Sequence, residues 1–300
     1  MKKLVLALLA IAAFSGSASA ADMAPRTYTK AALPAPVASW TGFYAGFNAG
    51  GAFDDGSFAT TGTPVSFNPA GLNLGAPATM NALAAVLTSN APRSGGQFIG
   101  GGQFGYNFQF TSAFVLGFEA DIQAFAGSGR TSSAVTTSSF APFGFPANNY
   151  GATASFTQRL DYLGTARGRI GYLATPSLLA YATGGLAYGG ANVGSSFSIQ
   201  ETFPGAFTTI TPPIFGAASA SNTAVGWTVG GGLEWIFGSK WSAKFEYLYY
   251  DLGSVTASIP LTQIINNAPF INTPWATALA QTSAHFNGSI VRVGVNYHLN

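Results

Sequence analysis

Ten charged residues are spaced so that they could act together: Glu119, Asp121, Arg159, Asp161, Arg167, Arg169, Glu234, Lys244, Glu246 and Arg292. Each lies on the polar side of a segment in which apolar and polar residues alternate. Five are acids and five are bases, so the set can neutralise its own charge. Gathered in an enclosed space, it would form an interlocking network of ion pairs and hydrogen bonds, because an unpaired buried charge is strongly destabilising. Around a water-filled space, the same residues would line an ion-selective pore.

Other reactive residue types are scarce. Cysteine is absent, which excludes disulfides and thiolate metal sites. The two histidines, His285 and His298, are too few for a His-rich metal centre. His285 could face Asp251 with Ser283 close by. That is the one acid–base–nucleophile set the sequence allows, and no motif carries it. Gly100-Gly101-Gly102-Gln103-Phe104-Gly105 spells G-x-G-x-x-G, a dinucleotide fingerprint only where a helix follows. Here it lies within alternating aromatics, where glycines ease strand twist and crowding. No catalytic, cofactor-binding or metal-binding residue is expected, no cofactor, and no enzymatic activity.

The elements that must position the ten charges are strands. Charged residues make up 7% of the chain, against about 25% in soluble domains. Mean hydropathy is positive. Beyond the N-terminus, no apolar run reaches the ~18 residues of a membrane helix. In hydrocarbon, backbone polar groups must pair internally, which leaves a closed β-barrel. The 38 glycines and 25 phenylalanines suit barrel packing and aromatic girdles.

Period-two alternation places eight strands. They are Trp40–Phe53, Gly96–Phe110, Ala113–Phe125, Ser155–Leu173, Leu178–Val193, Thr223–Phe237, Trp241–Asp251 and Phe286–Leu299. The facing of Leu178–Val193, apolar on both sides, stays open. Leu160, Tyr162, Ile170 and Tyr172 are expected opposite Arg159, Asp161, Arg167 and Arg169. Short connections near 111–112, 175–176 and 238–239 alternate with long polar ones, about 54–95, 126–154, 194–222 and 252–285. Residues 79–88 could form a short helix in the first long connection. Short periplasmic turns and long outer loops are the outer-membrane pattern. Trp40, Trp227, Trp235, Trp241, Tyr247 and Tyr249 are candidate anchors at the two lipid interfaces. A barrel of about eight strands is just filled by its own side chains, whereas porin-sized channels need about 16.

Residues 1–20 read as a secretory signal: Lys2 and Lys3, an apolar Leu4–Phe14, then Ala18-Ser19-Ala20. Its removal takes Lys2 and Lys3 from the 12 basic residues, leaving 10 against 10 acidic ones. No basic patch then argues for nucleic acid. Residues 21–39 are a Pro/Ala-rich periplasmic lead-in, and 40–300 the barrel domain.

Three stretches resemble the porin-family outer-membrane β-barrel proteins of alphaproteobacteria, the outer membrane immunogenic protein or surface-antigen group. They are Trp40-Thr41-Gly42-Phe43-Tyr44-Ala45-Gly46, then Leu163-Gly164-Thr165-Ala166-Arg167-Gly168-Arg169-Ile170-Gly171-Tyr172 with Tyr181–Gly189, and Lys244–Gly253 with Val291–Tyr297. The resemblance implies an all-β, eight-stranded barrel in the cell outer membrane of a Gram-negative cell, with exposed loops and no catalytic residues to carry over. Members usually end in an aromatic residue, where this chain has His298-Leu299-Asn300. The expected function is structural and antigenic, with a side-chain-filled lumen, the alternative being a narrow diffusion channel for small solutes. Expected partners are outer-membrane lipid and lipopolysaccharide, the barrel-assembly machinery, and a ligand or host surface at the loops.

Overall fold

The computed structural model describes residues 39–67, 76–127, 129–141, 148–202, 212–267 and 270–299. The signal segment 1–20 and nearly all of the lead-in lie outside them. Among the described residues the strands are β1 (Gly42–Phe67), β2 (Ser89–Gln109), β3 (Phe114–Ala126), β4 (Arg130–Phe140), β5 (Asn148–Thr175), β6 (Leu178–Thr202), β7 (Ile214–Ile236), β8 (Trp241–Asn267) and β9 (Phe270–His298), with one helix, α1 (Ala76–Leu87). Every pairing is antiparallel. Because β1 pairs with both β2 and β9, and β3 with both β2 and β5, eight of the nine strands close a ring: β1-β2-β3-β5-β6-β7-β8-β9. The ring is a transmembrane β-barrel, since only closure satisfies every strand edge in lipid.

The eight expected strands are all present, with tight turns between β2 and β3, β5 and β6, and β7 and β8. Thr111 shapes the first: its hydroxyl oxygen accepts the backbone N–H of Ala113 at 3.2 Å and of Phe114 at 2.9 Å. Strand lengths differ from expectation. A bilayer crossing takes about 9–11 residues, yet β5, β8 and β9 run for 28, 27 and 29. Most of the stretches expected as long loops are these strands continuing past the membrane. β4 was not anticipated, and α1 starts three residues before the expected helix at 79.

Where the strands leave the barrel, the wall divides. β3 ends at Ala126, and β4 replaces it beside β5, from Arg130 opposite Gln158 to Phe140 opposite Asn148. The β7–β8 ladder stops at Trp227 opposite Asp251. Beyond these points the ladders form two four-stranded sheets, β4-β5-β6-β7 and β2-β1-β9-β8. Their inner faces pack together. The Phe58 and Phe156 rings stack at 5.4 Å, and Phe197 meets Phe156 edge-on at 5.8 Å. α1 packs against β1, β4, β5 and β9, burying Leu83 and Leu87 completely. At Gly62 in β1 the α1 backbone comes so close that a Cβ would lie 2.0 Å from the Ala84 carbonyl oxygen. In this extension, burial pushes the Tyr150 phenol far above its ordinary value, so it stays neutral.

Two β-bulges sit near the division, between Leu160 and Leu163 in β5 and between Asp251 and Ser254 in β8. A bulge adds a residue to one strand and so exchanges its inward and outward positions. The β5 bulge corrects one expected facing. Leu160 points inward, 7% exposed, while Arg159 and Asp161 point out and pair with each other. β6, whose facing the sequence left open, turns Leu179, Tyr181 and Thr183 inward and Leu186 and Tyr188 outward.

Candidate functional site

The lumen of the membrane barrel is packed with charge. Strand register brings the carriers face to face: Glu119 lies opposite Arg167, Glu246 opposite Arg292, and Glu234 opposite Lys244. Arg167 contacts Glu119 at 2.5 Å, Asp121 at 2.7 Å and Glu246 at 3.1 Å, and so ties β5 to β3 and β8. Arg292 reaches Glu246 at 2.5 Å and Asp121 at 2.9 Å. The Lys244 ammonium donates to both Glu119 oxygens at 2.8 and 2.9 Å. Arg169 pairs with Glu234 at 2.7 Å and lies 4.0 Å over the Tyr181 ring. Eight of the ten expected residues therefore form one buried assembly, with four acids and four bases. Arg159 and Asp161 stand outside it, for the bulge given above.

Neutral residues complete the network, and sequence reasoning assigned them no role in it. The Tyr44 hydroxyl donates to Glu119 at 2.8 Å and accepts from Arg169 at 3.0 Å. The Tyr181 hydroxyl donates to Glu246 at 3.0 Å, Thr165 to Asp121 at 2.9 Å, and Asn296 to Glu234 at 2.8 Å. Their signal was legible: each shares its strand face with an expected charge or with a polar neighbour. Room for the rings comes from glycine. A Cβ on Gly105 would sit 2.4 Å from the Tyr44 ring.

The short-turn end is closed by an apolar cluster of Trp40, Val115, Leu173, Leu179 and Tyr181. Trp40 is fully buried there, its indole N–H donating to the Pro176 carbonyl at 3.1 Å. This corrects its expected place at the lipid interface. The strand that should have carried it outward begins only at Gly42, so Trp40 folds back beneath the lumen. Trp227, Trp235, Trp241 and Tyr247 do face outward, about half exposed. Trp227 packs on Tyr249 near the division, at 5.5 Å between rings, and Trp241 on Tyr297 near the turns, at 5.0 Å. Eight residues separate Trp241 from Tyr249, about 27 Å along a strand, comparable with the ~25 Å apolar band of such barrels.

The second constellation is on the outer wall. His285 approaches Asp251 at 3.2 Å through Nε2, as the sequence suggested, but its Nδ1 meets Ser254 at 2.9 Å rather than Ser283. The β8 bulge puts Ser254 opposite His285, and Ser283 pairs with Thr256 instead. Gly253, at φ +75°, makes the bulge possible and donates its N–H to Asp251 at 2.8 Å. The group lies on an open strand face, where it clasps the bulge to β9. Gly100–Gly105 lie within β2, where the expected strand setting holds.

Closed ring, outward aromatic belts and charge-paired polar lumen define an integral outer-membrane β-barrel protein. A family model described as outer membrane protein beta-barrel domain matches residues 6–298. The chain belongs to that family. The 31 kDa outer-membrane immunogenic protein of Brucella melitensis is 34% identical over 254 residues, 84% of this chain and 88% of that protein. Its counterpart in Brucella suis matches equally. Among solved structures, OprG of Pseudomonas aeruginosa covers 87% of this chain and 99% of its own at 11% identity, with a TM-score of 0.35. Ail of Yersinia pestis covers 84% and 99% at 10% identity, with a TM-score of 0.26. The protein is thus an outer-membrane β-barrel of the Gram-negative envelope, related to immunogenic outer-membrane proteins.

Proposed function

We propose that this protein is a non-conducting, non-enzymatic anchor that holds a rigid two-sheet extension above the outer membrane as an antigenic and interacting surface. One observation carries the reading: Arg167 and Arg292 each bond carboxylates from more than one strand across the lumen, leaving its centre filled by paired charge. An ion crossing that centre would have to break several of these pairs together, at several kcal/mol each. The short turns mark the periplasmic side, which puts the extension outside the cell. Outer-leaflet lipid and lipopolysaccharide then surround the aromatic belt near the division, the assembly machinery inserts the barrel, and the tip meets the environment or a host surface.

Planar-bilayer recording of the purified protein is the test. Silence is expected, and a steady open state would replace the anchor by a narrow solute channel. An epitope tag placed between β6 and β7 should be detected on intact cells. Detection only after permeabilisation would reverse the orientation.

A further inference from the structure

Beyond the division the wall has two seams, and the chain treats them differently. At the seam between β2 and β4, α1 packs against β4, and the Thr136 hydroxyl donates to the Val86 carbonyl. The Ser132 hydroxyl donates to the Pro92 carbonyl at 2.7 Å, and Arg130 pairs with Asp54. At the seam between β7 and β8, no backbone ladder joins residues 214–224 of β7 to β8 among the described residues. Those eleven residues pair with β6 on one side, from Ile214 opposite Ile199 to Ala224 opposite Gly189, without a bulge. Their other side is an open strand edge. Proteins ordinarily guard such an edge with charge, proline or a bulge. Ile214-Phe215-Gly216-Ala217-Ala218-Ser219-Ala220-Ser221-Asn222-Thr223-Ala224 contains none of them. The β8 edge is guarded, by the bulge between Asp251 and Ser254 and by Pro260, which has no N–H to give.

We infer that the β7 edge pairs with the same edge of a second copy of this chain, standing in a facing membrane. The β7 sequence is nearly symmetric about Ser219. Antiparallel pairing centred there sets Ala218 against Ala220, Ala217 against Ser221, Gly216 against Asn222, Phe215 against Thr223 and Ile214 against Ala224. No like charges meet in any of these pairs. Phe215, Ala217, Ser219, Ser221 and Thr223 stay outward. Ala218 and Ala220, only partly buried against the core in one copy, then cover each other. A contact between identical edges is self-complementary about a twofold axis. Antiparallel pairing puts that axis perpendicular to the sheet. It joins two four-stranded sheets into one of eight with a common outer face, and it points the two barrels in opposite directions. A twofold along the membrane normal, relating neighbours in one membrane, would set β7 parallel to β7. It would also turn one inner face outward and expose Ile214 and Ala224. Pairing β7 with a neighbour's β8 instead meets Pro260. The inference deepens the surface role proposed above and, in cells, depends on the extension facing outward.

The chain has no cysteine, so single cysteines report the contact. The full chain is placed in phosphatidylcholine vesicles and oxidised with copper phenanthroline. Ser219→Cys, on the twofold, should form a reducible disulfide dimer. Thr153→Cys, exposed on β5 of the same face, should not. Light scattering should show vesicles of the wild type clustering. Ser219→Lys sets like charges opposite each other on the axis and should abolish clustering, whereas Ser219→Thr should preserve it. All variants should keep the wild-type shift in gel mobility on heating. Cross-linking without clustering would put both copies in one membrane and overturn the inference. So would clustering without the cross-link, or clustering that survives Ser219→Lys. The absence of both signals would also overturn it and leave the edge to a strand of another protein. Vesicles need only some chains inserted with the extension outside. Failure here would therefore leave the tag-accessibility and conductance results standing, and each proposal can fall alone.

Discussion

Strand β8 passes through two solvents and reverses its chemistry between them. Near the turns it sends Lys244 and Glu246 inward and Phe245 and Tyr247 outward. Past the bulge it sends Val255, Ala257, Ile259 and Leu261 inward and Ser254, Thr256 and Ser258 outward. β6 makes the same exchange without a bulge, with Leu186 and Tyr188 outward below, and Val193, Phe197 and Ile199 inward above. Period two persists throughout, and only the face assigned to apolar residues changes. In the membrane half, lipid takes the apolar face and the lumen must satisfy its own charges. In the extension, water takes the outside and the hydrophobic effect assembles a dry sandwich core. The closed ring follows from the same contrast. Lipid forbids an open strand edge, whereas water solvates one, so the wall divides where the aromatic belt ends.

Substitutions that discriminate the halves can break this comparison. The largest effect is expected from Arg167→Ala, which strands Glu119, Asp121 and Glu246 in the lumen. Removing one partner of a buried pair costs about 3–5 kcal/mol. The midpoint of the heat-induced gel shift should fall steeply, and an unchanged midpoint would mean the lumen is hydrated. Leu87→Ala removes a fully buried α1 side chain from the extension, at about 2–5 kcal/mol. Limited proteolysis should then cut the extension while the membrane half stays protected. Loss of both together would show a single cooperative unit. A matched pair separates the outer faces. Val293→Lys, in mid-membrane, should cost about 2–4 kcal/mol, and Thr256→Lys in the extension should stay within about 0.5 kcal/mol, both read by urea unfolding in vesicles. Equal costs would refute the change of solvent. The smallest effect is expected from Asp251→Asn, which loosens an exposed clasp worth less than about 1 kcal/mol. Its readout is faster amide exchange at Gly253 and Ser254, with no change in midpoint.

Much of the membrane half was legible because its contrast is high. Phe alternating with Gln or Asn in 103–110 admits one facing only. The network was legible as a set of charges but not as a graph, since Arg167 meets Glu246 through the lumen and not through any spacing along the chain. The extension was harder. Alternations such as Gly151-Ala152-Thr153-Ala154-Ser155 pair small residues with small ones, and they resemble a polar loop. Ser254 to Thr262 did carry a readable signal, with Val255, Ala257, Ile259 and Leu261 in strict alternation. These residues keep the odd-numbered phase of Phe245 and Tyr247, and only the bulge between Asp251 and Ser254 turns them inward. Arg159 and Asp161 were misplaced because a bulge leaves no mark in composition.

The residues alone determined a membrane barrel with self-compensating charge, because alternation and the lack of long apolar runs leave hydrocarbon no other way to satisfy the backbone. Only the tertiary structure decided where β5 and β8 slip register near the division, where the ring divides into two sheets, and which carboxylates each guanidinium meets. Those outcomes depend on neighbours distant in sequence, whose packing selects one register from several that local pattern permits.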